Sequence, residues 1–173
     1  MYPLGHMAAA CGTAWLANRE LGAERGALAR VFRHIDYRAV AFGALLPDLV
    51  DKPLVWFVLR NPEEFGGHHI GHSVVLTAAL LLVGSLLARQ GSMTVLLVAF
   101  GTFTHLLYDS VTHVPWSLLY PFVELDVPRN GMILRATNIA GEVAALAALV
   151  YLLWRPDREK RLVRFVREGA IEA

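Results

Sequence analysis

The sequence predicts an all-α fold: an integral membrane helical bundle of about five membrane-embedded helices, followed by a basic amphipathic C-terminal helix. Composition is the first reason. Of the 173 residues, 55% are hydrophobic and 18% are charged, whereas soluble domains carry about 25% charged residues. The mean hydropathy is +0.45. Apolar runs that alternate with polar connectors are the second reason, and the uneven placement of Lys and Arg among these connectors is the third.

The predicted membrane segments follow one another with short connectors. They cover residues 3–18, 39–59, 73–89, 93–109 and 138–155. The apolar runs are short for bilayer crossings, which comfortably take about 20 residues. Pro47 and Pro53 bend or break the second segment, so carbonyl groups freed there need other partners. The third segment contains no charged residue between positions 73 and 88.

The chain is expected to form one membrane-embedded helical domain over residues 1–155 and a basic cytoplasmic tail over residues 156–173. With five crossings, twelve Lys and Arg residues lie in the connectors and tail on one side, and three lie on the other. The positive-inside rule then predicts an inner-membrane, multi-pass protein with its amino terminus outside. The apolar side chains of the basic tail favour an interfacial helix at an anionic leaflet.

Composition also excludes some function classes. The net charge is +1 and the chain has no basic stripe with interleaved aromatic residues, so nucleic acid is not expected as a partner. Cys11 is the single cysteine, which excludes an internal disulfide and a thiolate-rich metal site. Without a GxSxG motif, a Walker-type loop or a credible Ser nucleophile, covalent catalysis is not expected.

The segment GTFTHLLYDSVTHVPWSLLYPF carries His105, Asp109 and His113 at intervals of four. On an α-helix such residues share one face, so an imidazole and a carboxylate reach one cation together. An Asp in an apolar membrane segment costs about 2.5–3.5 kcal/mol, which disfavours a chance arrangement. We therefore predict His105 and Asp109 as metal ligands. His113 is a further candidate, although Pro115 places it near the predicted helix end.

Asp48 and Asp51 lie three residues apart in LLPDLVDKP. Two carboxylates at membrane depth repel each other unless a cation or a proton lies between them. Asp48 is predicted as a metal ligand, and Asp51 as a ligand or a general base. The alternative is that Lys52 is simply the counter-charge.

The next polar cluster, GHHIGHS, contains His68, His69 and His72 directly before an apolar helix. We predict His69 and His72 as ligands. His6 opens the first helix, where a lone His is more often a surface or capping residue. Glu142 is predicted one turn inside the last membrane helix, where an acidic residue also simply favours the helix dipole.

The predicted topology brings these residues to one membrane face. His6, the 68–72 cluster, His105 and Glu142 all fall at outer helix ends, so six of the seven histidines gather there. The seventh, His34, lies in a cytoplasmic connector and is not a candidate. Histidines scattered through a core would not segregate in this way, which indicates one site.

LLPDLVDKP, GHHIGHS and HLLYDSVTHVPWSLLYPF, in this order after an early His, resemble the YdjM-like membrane-bound metal-dependent hydrolases. The resemblance extends over roughly residues 6–142. It implies a metal site formed by residues at six matching positions, namely His6, Asp48, Asp51, His72, His105 and Asp109. The family is also distantly similar to zinc-dependent bacterial phospholipases C, which implies phosphoester chemistry.

We therefore expect a divalent metal, zinc first, with manganese or iron as alternatives. The predicted reaction is hydrolysis of a phosphoester or lipid-linked ester at the outer face, with Asp51 or Glu142 as general base. Membrane lipid and a small or lipid-like substrate are the expected partners. The competing class is a membrane protein with a structural metal, or a metal or proton transporter. A transporter needs polar residues through the whole membrane, whereas here all but Asp48 and Asp51 lie near one face.

Overall fold

A computed structural model shows that the regular structure is helical throughout the described part of the chain, which confirms the all-α class. The structure describes residues 3–22, 26, 31–60, 69–112, 118–122, 131–154 and 157–170. Within these ranges, no helix is both long enough and apolar enough to qualify as a membrane span.

The long helices occupy the segments that the apolar runs predict. They are α1 (Pro3–Leu21), α2 (Tyr37–Pro53), α3 (Val74–Ala88), α4 (Thr94–Thr112), α5 (Gly131–Trp154) and the C-terminal α6 (Arg158–Glu168). A π-helix, Leu54–Leu59, continues α2, and a short 3₁₀ helix, Ile70–His72, precedes α3. The predicted amphipathic helix at the C-terminus is α6.

The start of α5 differs from the prediction. Glu142 was expected one turn inside a helix that begins near residue 138, but α5 begins at Gly131. The helix was predicted to begin too late because polar residues precede position 138, although the apolar residues Met132, Ile133 and Leu134 lie among them. Glu142 is therefore in the middle of α5, and its interaction with the α5 dipole is not the reason for an acidic residue there.

Helices α1, α2 and α4 enclose the core. Its buried side chains are mostly small, so the helices approach one another closely, and they comprise Ala10, Ala14, Phe32, Ile35, Tyr37, Ala39, Val40, Ala44 and Leu97. Gly43 and Gly101 face each other where α2 and α4 cross. A Cβ atom at Gly101 would lie 2.8 Å from the Ala44 nitrogen and would also overlap the Val40 carbonyl. Only glycine permits this crossing.

Pro47 explains a hydrogen bond across the same crossing. Proline has no backbone N–H, so the carbonyl four residues earlier, that of Gly43, loses its helical donor. The Thr102 hydroxyl on α4 donates to the Gly43 oxygen at 3.1 Å. The carbonyl freed by the proline thus finds a partner in the neighbouring helix, and α2 and α4 are fixed in register.

The C-terminal end of α6 docks on the first turn of α2. The Tyr37 N–H donates to the Gly169 carbonyl at 2.8 Å, and the Arg38 guanidinium donates to the Val166 carbonyl at 2.7 Å. Arg38 also pairs with Asp36, the N-cap residue of α2, and this contact holds the pKa of the Asp36 carboxyl below its usual value. The basic C-terminal helix therefore contacts the helical bundle.

Candidate metal centre

Three imidazoles and two carboxylates converge from four elements of the bundle. His6 comes from the first turn of α1, Asp48 from α2, His72 from the 3₁₀ helix, and His105 with Asp109 from α4. His6, His72 and His105 are each 1% exposed. His6 is therefore a buried residue of the site, and the alternative of a surface or capping histidine is wrong.

Nitrogen and oxygen atoms of these side chains approach one another closely. His105 Nε2 lies 3.1 Å from His72 Nε2 and 3.3 Å from Asp109 Oδ2. His6 Nε2 lies 3.2 Å from Asp109 Oδ1. His72 Nε2 is 3.6 Å from Asp109 Oδ2 and 3.7 Å from Asp48 Oδ1. The five groups thus form one connected cluster of ligand atoms, in which Asp109 links His6 to His105 and His72, and His72 links Asp48 to the rest.

These separations fit the coordination shell of a small divalent cation. Bonds of about 2.0–2.2 Å in tetrahedral geometry place neighbouring ligand atoms roughly 3.3–3.6 Å apart. Two overlapping groups have all their ligand atoms within 4.8 Å of one another: His6, His105 and Asp109, and Asp48, His72 and His105. An imidazole and carboxylate set without cysteine suits zinc, manganese or iron.

The second nitrogen of two imidazoles is already bonded to an acceptor. His72 Nδ1 lies 2.8 Å from Asp51 Oδ2, and His105 Nδ1 lies 2.5 Å from the carbonyl oxygen of Ala44. A neutral imidazole that donates through Nδ1 carries a lone pair on Nε2. When both rings are neutral, the Nε2 lone pairs of His72 and His105 therefore face each other across 3.1 Å. A cation between or beside them removes this repulsion.

Asp51 organises the chain around His72. Its buried carboxylate accepts the backbone N–H groups of Gly71 at 2.7 Å and of His72 at 3.1 Å, in addition to the His69 N–H and the His72 ring. A Cβ atom at Gly71 would lie 2.8 Å from Asp51 Oδ1 and 2.5 Å from the Pro47 carbonyl oxygen. Glycine is required at position 71 because the carboxylate approaches the backbone so closely.

The His72 ring lies between the two carboxylates of α2. Asp51 contacts its Nδ1 and Asp48 faces its Nε2. Lys52 is also the counter-charge of Asp48, with Nζ 2.9 Å from Asp48 Oδ2, in an ion pair that lacks good hydrogen-bond geometry. Asp48 thus contacts Lys52 through one oxygen and faces the imidazole cluster with the other.

Glu142 contacts the beginning of α1. Its Oε1 accepts the N–H of Gly5 at 2.8 Å, and Gly5 directly precedes His6. Because the first N–H groups of a helix have no acceptor within the helix, this carboxylate stabilises the turn that carries His6. Glu142 therefore contacts the turn that carries His6. From the sequence, it was instead expected one turn inside the last helix.

His69, another predicted ligand, is not part of the cluster formed by the described residues. The His69 ring packs against Tyr120, with ring centroids 4.1 Å apart, and its backbone N–H donates to Asp51. Among the described residues, the groups that could hold a metal do not include His69. His113 and His68 lie outside the described residues.

Sequence reasoning missed the supporting atoms of the site. The Ala44 carbonyl orients His105. A backbone acceptor of this kind cannot be predicted from the pattern of side chains. Gly71 had a usable signal, because a glycine between histidines in GHHIGHS is typical of a close backbone approach. The Glu142 contact with α1 joins residues 137 positions apart, which no local pattern encodes.

Fold and site together define a helical protein with a buried histidine–carboxylate centre, assembled from several helices and rich in exposed apolar residues. Comparison with protein families matches residues 1–166 to the YdjM inner membrane protein. The chain therefore belongs to the YdjM inner membrane protein family, as its motifs indicate. Neither a curated protein nor a solved structure matches the chain.

Proposed function

We propose that this chain is a membrane-embedded, metal-dependent hydrolase that cleaves a phosphoester or lipid-linked ester at the outer face of the membrane. One observation supports it above the others: the Nε2 atoms of His72 and His105 lie 3.1 Å apart while both Nδ1 atoms already face acceptors. Buried lone pairs in this arrangement, with the carboxylates of Asp48 and Asp109 beside them, favour a bound positive charge, and we propose that this charge is a metal cation.

In this proposal the cation is held by the converging ligand atoms, a set made of His6, Asp48, His72, His105 and Asp109. A divalent metal bound there supplies Lewis-acid polarisation of an ester oxygen and makes a nearby water molecule more acidic. Zinc is our first choice, and manganese or iron also suit the ligands. The three imidazoles are buried from bulk water, which strengthens each electrostatic interaction inside the site.

The surrounding residues take two different roles. Asp51 accepts four hydrogen bonds, so we assign it to orienting His72, as carboxylates commonly do behind metal-bound histidines. Glu142 is then the proposed general base. Its Oε1 is held by the Gly5 N–H, which fixes the carboxylate beside the turn that carries His6.

Membrane embedding of the bundle is supported by its exposed apolar side chains. Phe57, Leu82, Val143 and Trp154 are 77%, 64%, 60% and 83% exposed, and many other large apolar residues accompany them. Soluble monomers rarely expose so much contiguous apolar surface. We propose a multi-pass arrangement with the amino terminus outside and α6 cytoplasmic, as the distribution of Lys and Arg predicts.

Metal analysis of the purified full-length protein tests the site. The wild type is expected to hold a stoichiometric divalent metal, and His105→Ala to lose it. His34→Ala is the matched control, because His34 is exposed and lies outside the cluster. Equal metal content in all three proteins would contradict the proposed centre.

Hydrolysis is tested separately with a panel of phosphodiesters, phosphomonoesters and lipid esters. The metal-loaded wild type is expected to cleave at least one class, and His105→Ala to be inactive. If the loaded protein cleaves none of them, the metal has a structural or transport role and the hydrolase proposal is wrong.

A further inference from the structure

The rim of the metal centre is acidic. The side chains of His72 and His105 are 2% or less exposed, whereas those of Asp48 and Asp109 are 12% and 10% exposed. Access to the centre therefore passes the two carboxylates. A negatively charged substrate approaching along this path is repelled unless a positive charge lies beside it.

Lys52 places a positive charge at this rim. Its side chain is half exposed, and its Nζ is 2.9 Å from Asp48 Oδ2. Asp48, Asp51 and Asp109 carry three negative charges, and one divalent cation leaves one of them uncompensated. Lys52 offsets this remaining charge of the three aspartates and so reduces the repulsion of an anion at the rim.

The geometry of Asp48 shows that one anionic group can contact Lys52 and the imidazole cluster together. Its carboxylate spans the gap between Lys52 and the imidazole cluster, with Oδ2 toward Nζ and Oδ1 3.7 Å from His72 Nε2. Two oxygens of a phosphoryl group have nearly the same spacing as those of a carboxylate, and both groups are recognised by the same cationic donors. An ammonium has three N–H donors, so the contact of Lys52 with Asp48 leaves others for an incoming acceptor.

We propose that Lys52 binds an anionic phosphoryl oxygen of the substrate and makes the site selective for phosphoesters over neutral esters. This inference rests on the proposed hydrolase function and names its substrate class. Lys52 is then a specificity-determining residue that contacts the substrate, in addition to its ion pair with Asp48.

Anion binding is measured first, by calorimetric titration of inorganic phosphate, and of acetate as a planar anion, into the full-length zinc-treated protein. Lys52→Met keeps the length of the side chain without its charge, and we expect phosphate affinity to fall about 10- to 100-fold, as for loss of a charge-assisted hydrogen bond. Lys52→Arg should recover most of it. Lys160→Met removes the same charge from the exposed face of α6 and should bind phosphate like the wild type.

Kinetics provides the second readout. With bis(p-nitrophenyl) phosphate, Lys52→Met should raise KM about tenfold or more with little change in kcat or metal content. With neutral p-nitrophenyl acetate, the KM of Lys52→Met should change far less than with the phosphate diester. Equal losses on both esters would indicate a structural role of Lys52 and overturn the inference, as would wild-type protein that binds no phosphate or a Lys52→Met variant with unchanged phosphate affinity.

These outcomes separate the two proposals. Phosphate binding that depends on Lys52, without cleavage of any ester, would uphold the anion site and contradict the hydrolase function. Ester cleavage that is indifferent to Lys52 would uphold the hydrolase and overturn the anion site. Stronger binding of acetate than of phosphate would also count against the proposed phosphoryl specificity.

Discussion

At the scale of single residues, the site depends on how each imidazole is held. The α4 helix brings His105 and Asp109 to one face, with Nε2 and Oδ2 3.3 Å apart, as the four-residue spacing predicts. Asp51 and the Ala44 carbonyl then fix which nitrogen of His72 and of His105 carries the proton. In the proposed centre, the hydrogen-bond acceptor on the second nitrogen of each histidine sets the orientation of the ring and thereby its affinity for a metal.

Asp51→Asn tests this supporting role. The asparagine has the same shape, but it replaces a carboxylate that accepts four hydrogen bonds with an amide that has only one acceptor oxygen. We expect the metal affinity to fall about 10- to 100-fold, because partners behind ligating histidines typically contribute that much. Competition with a chromophoric chelator measures it.

Asp36→Asn is the control for this substitution. Asp36 pairs with Arg38 at the docking site of α6, on a different part of α2, and contacts none of the ligand residues in the described structure. Its metal affinity should equal that of the wild type. Equal affinity for the Asp51→Asn protein as well would assign Asp51 a role in folding alone.

Glu142→Gln separates catalysis from capping. The amide oxygen of glutamine can still accept the Gly5 N–H, so α1 and the position of His6 should persist and the protein should keep its metal. If Glu142 is the general base, kcat falls on the order of 10²–10⁴-fold. Steady-state kinetics together with metal analysis distinguishes the roles: an unchanged rate leaves Glu142 as a helix cap, and loss of metal makes it a ligand.

At the scale of elements, the sequence predicts which segments are helical but not how closely they approach. The apolar runs predict α1 through α5 because a helix satisfies its backbone hydrogen bonds within the segment, as an apolar environment requires. The boundary of α5 was missed because Arg135, at the end of a stretch that is polar in sequence, lies in its second turn. The crossing of α2 and α4 could not be predicted, since it depends on two glycines 58 positions apart and on a carbonyl freed by Pro47.

Gly101→Ala tests the crossing. The added methyl would lie 2.8 Å from the Ala44 nitrogen, so α4 must move away from α2. This separates His105 from the Ala44 carbonyl and from Asp48. Overpacking of this kind costs about 1–3 kcal/mol in the free energy of unfolding. We expect a lower thermal transition together with weaker metal binding.

Gly12→Ala is the matched control for the crossing, because a Cβ at Gly12 has no neighbour within 4 Å. Alanine in a helix is more favourable than glycine by up to about 1 kcal/mol, so this variant should be as stable as the wild type or more stable. A thermal transition of Gly101→Ala as high as that of Gly12→Ala would mean that α2 and α4 do not pack as closely as described.

At the scale of the whole molecule, the site unites residues that are far apart in sequence but share one region of the bundle. Charge sidedness and the positions of His and Asp in the apolar runs were sufficient to predict that His6, His72 and His105 meet. Those patterns carry no information on hydrogen bonds to backbone atoms. The contacts that support the site, made by Asp51, the Ala44 carbonyl and Glu142, could therefore not be predicted from the sequence. Exposed residues such as Phe57 and Trp154 agree with the apolar composition and with membership of an inner membrane family.

Labelling of introduced cysteines tests the orientation of the whole chain. In a Cys11→Ala background, Leu125→Cys, which lies outside the described residues, should react with a membrane-impermeant maleimide in intact spheroplasts. Lys160→Cys on α6 should react only after permeabilisation, because twelve Lys and Arg residues are assigned to the cytoplasmic side against three outside. Labelling of Lys160→Cys from outside, with Leu125→Cys shielded, would reverse the topology and place the metal centre at the cytoplasmic face.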